Sequence, residues 1–230
     1  MRIYARLAET ACENGFVCLV FDFRGVGQSS GNFDYGIGEQ QDVKCTLDYL
    51  ASRPEVSTNS VFVVGHSLGG AVSLYALQNE ERVKGLVLWS TPKNHNYNVK
   101  KWIRRTRGTL GLYSFLILSR LDRFFNVRRL FKLEVYGVKM RPRFVREKLM
   151  KLNECEAASK LNLPLLIVIG AKDNIVGADE AQAVYDSAKE PKTLLIIEDA
   201  DHIYKGKEQE LMDKTLEWVK SVSSRFSPPL

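Results

Sequence analysis

Residues 65–70 read Gly-His-Ser-Leu-Gly-Gly and directly follow the apolar run 61–64. A G-x-S-x-G pattern between a strand and a helix predicts a sharp turn that exposes its central side chain, Ser67. We expect that a Cβ atom at Gly65 or Gly69 would collide with the neighbouring strand and helix. A hydroxyl beside the first free amides of a helix can attack a carbonyl carbon and have the resulting oxyanion stabilised. The alternative is a glycine-rich helix start without chemistry.

A serine hydroxyl is a poor nucleophile until a base removes its proton, and the chain has three histidines. His66 neighbours Ser67 within the turn, so its side chain must point elsewhere. His95 opens the central segment and is predicted to be a surface or cap residue, with possible substrate contact. His202 follows the last predicted strand, in a loop that emerges at the same sheet edge as Ser67. His202 is therefore the candidate base, and the alternative is a solvent-exposed loop histidine.

A carboxylate is needed to fix the tautomer of the imidazole and to stabilise its positive charge. Asp173 lies just beyond the predicted strand 163–169, and the gap between it and His202 holds one helix and one strand. Asp199 and Asp201 are rivals by proximity, but residues so close in the chain rarely turn back onto the ring. We therefore favour Asp173.

Apolar runs alternate with segments of helical period along most of the chain. This alternation predicts an α/β fold, a mostly parallel sheet with right-handed crossovers and helices on both faces. The predicted strands are residues 16–21, 61–64, 85–89, 163–169 and 193–197. The residues that share a predicted helix face are Ile3, Leu7 and Ala11; Val43, Leu47 and Leu50; Ala181, Val184 and Ala188; and Met212, Leu216 and Val219.

The alternation breaks in residues 93–160, which contain no convincing strand and which we call the cap. An insertion after the third strand lies at the C-terminal edge of a parallel sheet, where ligands bind. We interpret the cap as an amphipathic lid, and ordinary surface helices are the alternative. Its predicted helical pieces carry Val99, Trp102 and Ile103; Leu121, Phe124 and Phe125; and Val145, Leu149 and Leu152.

The net charge of +6 is concentrated in the cap, which holds 18 Lys and Arg against 5 Asp and Glu. The rest of the chain holds 15 against 22. A solvated basic surface explains this pattern. Weak contact with an anionic membrane surface or with an acidic substrate is the more specific interpretation. Nucleic acid is not predicted as a partner, because no known binding module accompanies the charge.

Four scattered cysteines, no signal peptide and no apolar run of membrane-spanning length predict a cytoplasmic protein. The three separated histidines and unclustered cysteines make no metal-ligand set. The glycines at 25 and 27 lack the third glycine of a dinucleotide-binding loop. No metal or other cofactor is therefore expected, and nothing in the sequence indicates the oligomeric state.

Ser67, Asp173 and His202, in that order, resemble the α/β-hydrolase superfamily. The stretch 22–29, Asp-Phe-Arg-Gly-Val-Gly-Gln-Ser, is similar to the one after the fourth strand of its esterase, lipase and serine-aminopeptidase-like branch. Residues 173–176 and the Asp201-His202 pair match further landmarks. The resemblance covers about residues 1–92 and 162–224, and it implies a core formed by 1–92 and 161–230 with the cap at 93–160.

The resemblance implies that Ser67 attacks an acyl carbonyl, that His202 shuttles the proton, and that water hydrolyses an acyl-enzyme. The Leu68 amide would be one oxyanion donor. We expect cleavage of a small-molecule carboxylic ester with a small or medium acyl group. The alternatives are a peptidase, thioesterase or acyltransferase with the same triad, or a catalytically weak, N-terminally truncated binding protein. The apolar cap residues expected to hold the acyl group are Leu112, Phe115, Leu116, Phe124 and Phe125.

One departure from the family concerns the second oxyanion donor, which comes from a His-Gly type loop at the end of a strand before the first helix. No His-Gly dipeptide precedes Ser67, and the chain begins within the predicted helix. We therefore expect an N-terminally incomplete chain without the N-terminal strands. The missing strand would lie between residues 16–21 and 61–64, so we expect either a central gap or direct pairing of those two segments.

Overall fold

The computed structural model describes residues 2–57, 59–125, 133–135 and 138–225. From β1 onward, strands and helices alternate as the sequence predicts, except in the cap, whereas no strand lies between α1 and α2. The strands are β1 (Val61–His66), β2 (Val83–Trp89), β3 (Leu133–Val135), β4 (Val138–Met140), β5 (Leu165–Gly170) and β6 (Lys192–Ile197). The helices are α1 (Arg2–Glu13), α2 (Glu39–Ala51), α3 (Leu68–Ala76), α4 (His95–Leu121), α5 (Pro142–Glu147), α6 (Glu154–Lys160), α7 (Ala178–Ser187) and α8 (Glu208–Ser223).

The central sheet of the described chain has four parallel strands in the order β1-β2-β5-β6. The register places His66 beside Trp89, and Trp89 beside Val168. The carboxyl ends of the strands therefore meet at one edge, from which the loops after β1, β5 and β6 emerge. The predicted α/β fold with a mostly parallel sheet is confirmed.

Successive residues of the central strands face opposite sides of the sheet, as the two-residue period of a strand requires. Leu86 and Leu88 of β2 enter the core cluster beneath α2, α3, α6 and α7. Val87 and Trp89 enter the cluster beneath α1 and α8. Both β2 and β5 are apolar on their two faces because helices cover each side of a parallel sheet. The helix faces predicted from periodicity supply residues to these two clusters.

Within its described residues, the cap contains helices and a two-stranded antiparallel pair, β3 and β4, which the sequence pattern did not predict. Three-residue strands are too short to show a two-residue period. Helix α4 consists of two helical halves that meet at a kink at Gly108, whose φ of 68° and ψ of −177° are not helical. The predicted helical piece at 121–125 is wrong in its extent, because α4 ends at Leu121.

The cap packs its apolar side chains against the start of α3. Its cluster of buried residues, which we call the cap cluster, also contains Tyr35 and Ala71 of the core. Helix α6 instead packs with α3 and α7 in the cluster on the sheet. The division into a core and a cap at residues 93–160 stays a prediction. The cap residues of the cluster are Ile103, Leu112, Phe115, Leu133, Met140, Val145, Leu149, Met150 and Leu152.

The strand predicted at 16–21 is absent: these residues have no regular secondary structure. Val17, Leu19, Val20 and Phe21 are exposed, Val17 to 58%. Among the described residues, β1 pairs only with β2. A strand needs a neighbour to complete its hydrogen bonds, and this segment has none. Of the two expected outcomes, direct pairing of residues 16–21 with β1 is wrong.

No helix in the described part of the chain combines the length and the apolar character needed to cross a membrane.

Candidate active site

Ser67 occupies a strained turn between β1 and α3. Its φ of 53° and ψ of −118° lie in a region that residues with a side chain rarely adopt. Two hydrogen bonds hold this conformation: the Ser67 amide donates to the carbonyl oxygen of Trp89 at 2.8 Å, and its own carbonyl accepts from Gly70 at 3.1 Å. Strain of this kind persists only where the surrounding structure enforces it, and it concentrates at functional sites.

The glycines around the turn differ in how closely the backbone approaches them. A Cβ atom on Gly65 would lie 2.7 Å from backbone atoms of Gly69 and Gly70. A Cβ atom on Gly69 would meet only the Phe23 ring, at 4.0 Å. The expected collision at Gly69 is therefore wrong. It occurs at Gly70 instead, where a Cβ would lie 1.9 Å from the Thr91 hydroxyl oxygen.

The N-terminus of α3 presents amides beside the partly exposed Ser67. Leu68 opens the helix, and within the described residues its N–H donates no backbone hydrogen bond. Such amides at a helix start favour negative charge. The Leu68 side chain approaches the loop before α2, with its Cδ1 3.5 Å from where a Cβ of Gly36 would lie. Leu152 of the cap approaches the same point.

The side chains of His202 and Asp173 are in direct contact, with Nδ1 2.8 Å from Oδ2. His202 lies in the loop after β6 and Asp173 in the loop after β5, so adjacent parallel strands deliver them to one edge. Both are buried. Because a carboxylate only accepts, Nδ1 carries the hydrogen, which leaves Nε2 as the basic nitrogen of the neutral ring. The described residues show no hydrogen bond between this ring and the Ser67 hydroxyl.

Asp173 is held as a carboxylate by its surroundings. Burial alone would raise its pKa, but the hydrogen bond and charge of His202, together with the Val176 amide, outweigh it. The pKa of Asp173 is consequently lowered. Its second oxygen, Oδ1, accepts from the amides of Ile175 and Val176, each at 2.9 Å. An ionised Asp173 can therefore orient His202 and stabilise its protonated form.

His66 supports the backbone that carries His202. Its Nε2 lies 2.8 Å from the His202 carbonyl oxygen, and its Nδ1 lies 3.3 Å from the Tyr4 hydroxyl. A carbonyl only accepts, so Nε2 carries the hydrogen and Nδ1 accepts from Tyr4. Burial and the nearby His202 lower the pKa of His66 to about 4, so it stays neutral. The expectation that His66 points away from Ser67 is correct.

A buried pair of hydroxyls lies behind His202. The Ser90 hydroxyl donates to the Tyr204 oxygen at 2.9 Å, and the Tyr204 hydroxyl donates to the Val168 carbonyl at 2.9 Å. Ser90 has a positive φ of 46°. Burial raises the pKa of Tyr204, so it remains a neutral donor. These contacts fix the loop after β6 to the end of β5.

The two rival carboxylates are engaged elsewhere. Asp199 forms an exposed ion pair with Lys172 at 2.7 Å. Asp201 accepts the amides of Ile203 and Lys205 through its Oδ1, both at 3.0 Å. Asp201 therefore shapes the turn around His202 without contacting its ring.

His95 is buried and paired with Glu154 of α6, so its predicted surface position is wrong. The pair joins the first turn of α4 to α6. Backbone hydrogen bonds hold the two helix starts together, because the His95 amide donates to the Leu152 carbonyl and the Cys155 amide donates to the Lys93 carbonyl. The imidazole is therefore buried between the two helices.

The five cap residues expected to hold an acyl group separate into two sets. Leu112 and Phe115 are buried in the cap cluster and Leu116 packs against it. Phe124 and Phe125 are exposed at the surface. They are therefore not part of one enclosed apolar site with the other three.

The first half of α4 is fastened to the loop that carries Asp173. Lys101 Nζ lies 3.0 Å from Glu180 Oε1 and 3.3 Å from the Ile175 carbonyl. Arg105 donates to the Asn174 carbonyl at 2.9 Å. The cap thus contacts the residues that directly follow Asp173.

His66, Ser90 and Tyr204 are the residues near the site that sequence reasoning did not assign. Ser90 directly follows a predicted strand end, which is a usable signal for the same sheet edge. His66 and Tyr204 each form a hydrogen bond with a backbone carbonyl. Contacts of this kind cannot be predicted from the spacing of residues in the sequence.

Comparison with known proteins places this fold and motif in one family. The profile of the family described as "Serine aminopeptidase, S33" matches residues 1–206. The uncharacterized protein YfhR of Escherichia coli K12 is 24% identical over 193 residues, 83% of this chain and 55% of YfhR. The chain therefore spans about half the length of that relative.

Two solved structures illustrate the similarity in fold, and the name of one of them states a lipase. Est1E from Butyrivibrio proteoclasticus, with ferulic acid bound, has a TM-score of 0.74 at 21% identity, covering 97% of this chain and 84% of its own. A monoacylglycerol lipase from Paleococcus ferrophilus has a TM-score of 0.69 at 18% identity, covering 95% and 89%. The chain belongs to the serine aminopeptidase (S33) family of the α/β-hydrolase superfamily.

Proposed function

We propose that this protein is a serine hydrolase that cleaves a carboxylic ester of a small or medium acyl group through an acyl-enzyme. The observation that carries the proposal is the contact of 2.8 Å between His202 Nδ1 and Asp173 Oδ2 at the sheet edge from which Ser67 projects. An oriented imidazole at the same sheet edge as a strained, partly exposed serine supports nucleophilic acyl transfer as the chemistry of this site.

In the first half of the reaction, Ser67 Oγ attacks the ester carbonyl carbon while His202 Nε2 takes the hydroxyl proton. The bond between Oγ and the acyl carbon forms, and the carbonyl oxygen becomes an oxyanion beside the Leu68 amide. The bond to the leaving alcohol then breaks as His202 returns the proton to its oxygen. Asp173 stabilises the transient imidazolium throughout.

In the second half, water replaces the alcohol. His202 accepts one proton of the water while the oxygen bonds to the acyl carbon, and the same proton then returns to Ser67 Oγ. The carboxylic acid leaves and the resting site is restored. No cofactor takes part in this scheme.

The surroundings of the elbow favour an ester over an aminopeptidase substrate, which is the second candidate because of the family description. An aminopeptidase must hold the α-ammonium group of its substrate, which requires an available carboxylate. Asp34, in the loop before α2, pairs with Lys148, and Asp42, in the first turn of α2, pairs with Arg24. Glu39 in the first turn of α2 accepts two backbone amides. These carboxylates are therefore occupied.

The apolar side chains near the elbow favour a small or medium acyl group. Leu68, which directly follows the nucleophile, packs against the cap cluster together with Phe33 and Tyr75. An acyl chain bound here would contact aliphatic and aromatic surface, so lengthening it should improve binding until the cap residues obstruct it. The neighbour named as a monoacylglycerol lipase supports an ester as the substrate.

Covalent labelling with a fluorophosphonate tests the nucleophile. We expect labelling of the wild-type chain, none in Ser67→Ala, and slow labelling in His202→Ala, because a serine without its base reacts poorly. Ser221→Ala is the matched control, since Ser221 is exposed on α8. Equal labelling of Ser67→Ala would reject the assignment, and no labelling of the wild type would favour a binding protein.

A substrate panel separates ester from peptide and thioester chemistry. Nitrophenyl esters with acyl chains of increasing length, aminoacyl anilides and an acyl thioester are compared by kcat/KM. We expect the esters to be hydrolysed fastest, with an optimum at a short or medium chain. A preference for anilides would make the peptidase the better assignment.

The cysteines support a reducing compartment such as the cytoplasm. All four are free thiols, and those at 12 and 45 are exposed. Exposed thiols persist where glutathione and thioredoxin keep them reduced.

A further inference from the structure

The second half of α4 exposes a continuous apolar stripe on its outer surface. Leu110, Tyr113, Ile117 and Leu121 recur at intervals of three and four residues, so they share one helix face. We call these four residues the α4 stripe. All are exposed, Leu110 to 82%. Phe124 and Phe125 extend the apolar surface just past the helix end.

The fold does not require this stripe. The opposite face of the same helix packs into the cap cluster through Leu112 and Phe115, both of which are buried. An ordinary surface helix has one apolar and one polar face, whereas this one is apolar on two opposite faces. A contiguous exposed apolar surface on a soluble fold indicates a binding surface.

The charges around the stripe are of one sign. Helix α4 contains six Lys and Arg and no Asp or Glu. Arg104, Arg120 and Arg123 are exposed, and within the described residues they have no acidic partner. Asp122 is buried and pairs with Arg141. A groove of about 420 Å³ on the first half of α4, before Gly108, is lined by Tyr97, Lys100, Lys101, Arg104 and Arg105.

We propose that the α4 stripe and its flanking cations dock on the surface of an anionic phospholipid bilayer. Apolar side chains on a helix that lies in the interface enter the boundary between headgroups and acyl chains, and flanking Lys and Arg pair with anionic headgroups. Tyrosine, present at Tyr113 and Tyr97, suits this depth because its ring is apolar and its hydroxyl is polar. The docking does not depend on the proposed reaction.

Charge decides against a second copy of the chain as the occupant. A symmetric dimer through the stripe would bring the same cations of both copies together, because a two-fold interface joins identical patches. Like charges facing each other across an interface oppose association. A protein partner would need a groove that is both acidic and apolar. An anionic bilayer has negatively charged headgroups and apolar acyl chains over its whole surface.

The test is co-sedimentation of the full chain with vesicles of phosphatidylcholine alone or with about 30% phosphatidylserine. We expect binding to the anionic vesicles that falls as salt rises, and little binding to the neutral ones. The triple variant Leu110→Gln, Tyr113→Gln, Ile117→Gln should lose binding by roughly tenfold or more. The variant Arg104→Gln, Arg120→Gln, Arg123→Gln should also bind more weakly and lose its salt dependence.

A matched control changes three exposed apolar residues elsewhere. The triple variant Val17→Gln, Val20→Gln, Tyr49→Gln removes similar apolar surface outside α4, and its binding should equal that of the wild type. Circular dichroism and thermal unfolding should be unchanged in the stripe variant, because its three positions are exposed. Its hydrolysis of a soluble nitrophenyl ester should also be unchanged.

Wild-type binding by the stripe variant, or equal binding to neutral vesicles, would overturn the proposal. Light scattering that shows a dimer dissociated by the stripe variant, without vesicle binding, would overturn it in favour of self-association. If Ser67→Ala fails to abolish labelling while vesicle binding behaves as expected, the proposed reaction fails and this inference stands.

Discussion

The imidazole of His66 is hydrogen-bonded to the backbone of His202, with 2.8 Å between Nε2 and the carbonyl oxygen. The two rings are also close, with centroids 5.0 Å apart. The residue before the candidate nucleophile therefore holds the main chain of the candidate base. This contact links the turn after β1 to the loop after β6 across the sheet edge.

Removing the His66 contact should slow the reaction without weakening substrate binding. In His66→Leu the His202 loop loses its donor, so we expect kcat to fall about 10- to 100-fold with KM nearly unchanged. Steady-state kinetics on a nitrophenyl ester measures both. His66→Gln should recover much of the rate, because its side-chain amide can donate to the same carbonyl. Equal loss in both variants would contradict a role in positioning.

The lowered pKa of His66 predicts an acid sensitivity of the fold. Its pKa is about 4 in the folded state against an ordinary 6.5, so the unfolded chain takes up the proton first as the pH falls. The free energy of unfolding should therefore decrease between pH 6.5 and 4, by at most about 1.4 kcal/mol per pH unit. Protonation of Asp173 lowers the free energy of unfolding further, but only below pH 3.8, the ordinary pKa of an aspartate, because its pKa in the folded state is lowered.

Urea unfolding of wild type and His66→Gln at pH values from 7.5 to 4.5 measures this effect. Glutamine does not titrate, so the free energy of unfolding of the variant should change less over the range. Parallel curves for the two proteins would show that His66 does not cause the acid sensitivity.

Asp173 and the rival carboxylates can be distinguished by single substitutions. Asp173→Asn should lower kcat by roughly 10³- to 10⁴-fold, because an amide neither stabilises the imidazolium nor fixes the required tautomer. Asp199→Asn should leave kcat within about twofold, since it removes only an exposed ion pair. Asp201→Asn should have a modest effect through its turn. A large loss in Asp199→Asn together with an active Asp173→Asn would reverse the assignment.

The two glycines after Leu68 should respond oppositely to alanine. Gly70→Ala places a methyl group 1.9 Å from the Thr91 hydroxyl oxygen, so we expect a loss of about 1–3 kcal/mol in unfolding free energy. Gly69→Ala has room and should be neutral or slightly stabilising, because alanine favours the helix. Thermal unfolding compares the two. Thr91→Ala should partly rescue Gly70→Ala, and equal stability of both single variants would contradict the contact.

Features that depend on local sequence patterns and on the geometry of parallel sheets could be predicted from the sequence. The turn at Ser67 follows from a strand, two glycines and a helix in direct succession. The contact between Asp173 and His202 follows because residues after neighbouring parallel strands emerge at one edge. The four strands of the central sheet and that proximity were therefore predictable, while the chemical roles of the residues await the experiments above.

Features set by contacts distant in sequence were not predictable in this way. Residues 16–21 have the composition of a strand, but a strand forms only if a partner lies beside it. The crowding at Gly70 comes from Thr91, which is adjacent only in space. His95 reads as a surface residue until Glu154 is placed next to it.

The unpaired margin of the sheet has a consequence for the behaviour of this chain at high concentration. The run from Val17 to Phe21 is apolar, uncharged and free of proline, and it lies exposed. Within the part of the chain that the structure describes, β1 is paired on one side only. Such segments nucleate intermolecular β-aggregation. The substitution Val20→Lys, which places a charge in this exposed segment, should therefore raise the solubility of the protein and leave its thermal stability unchanged.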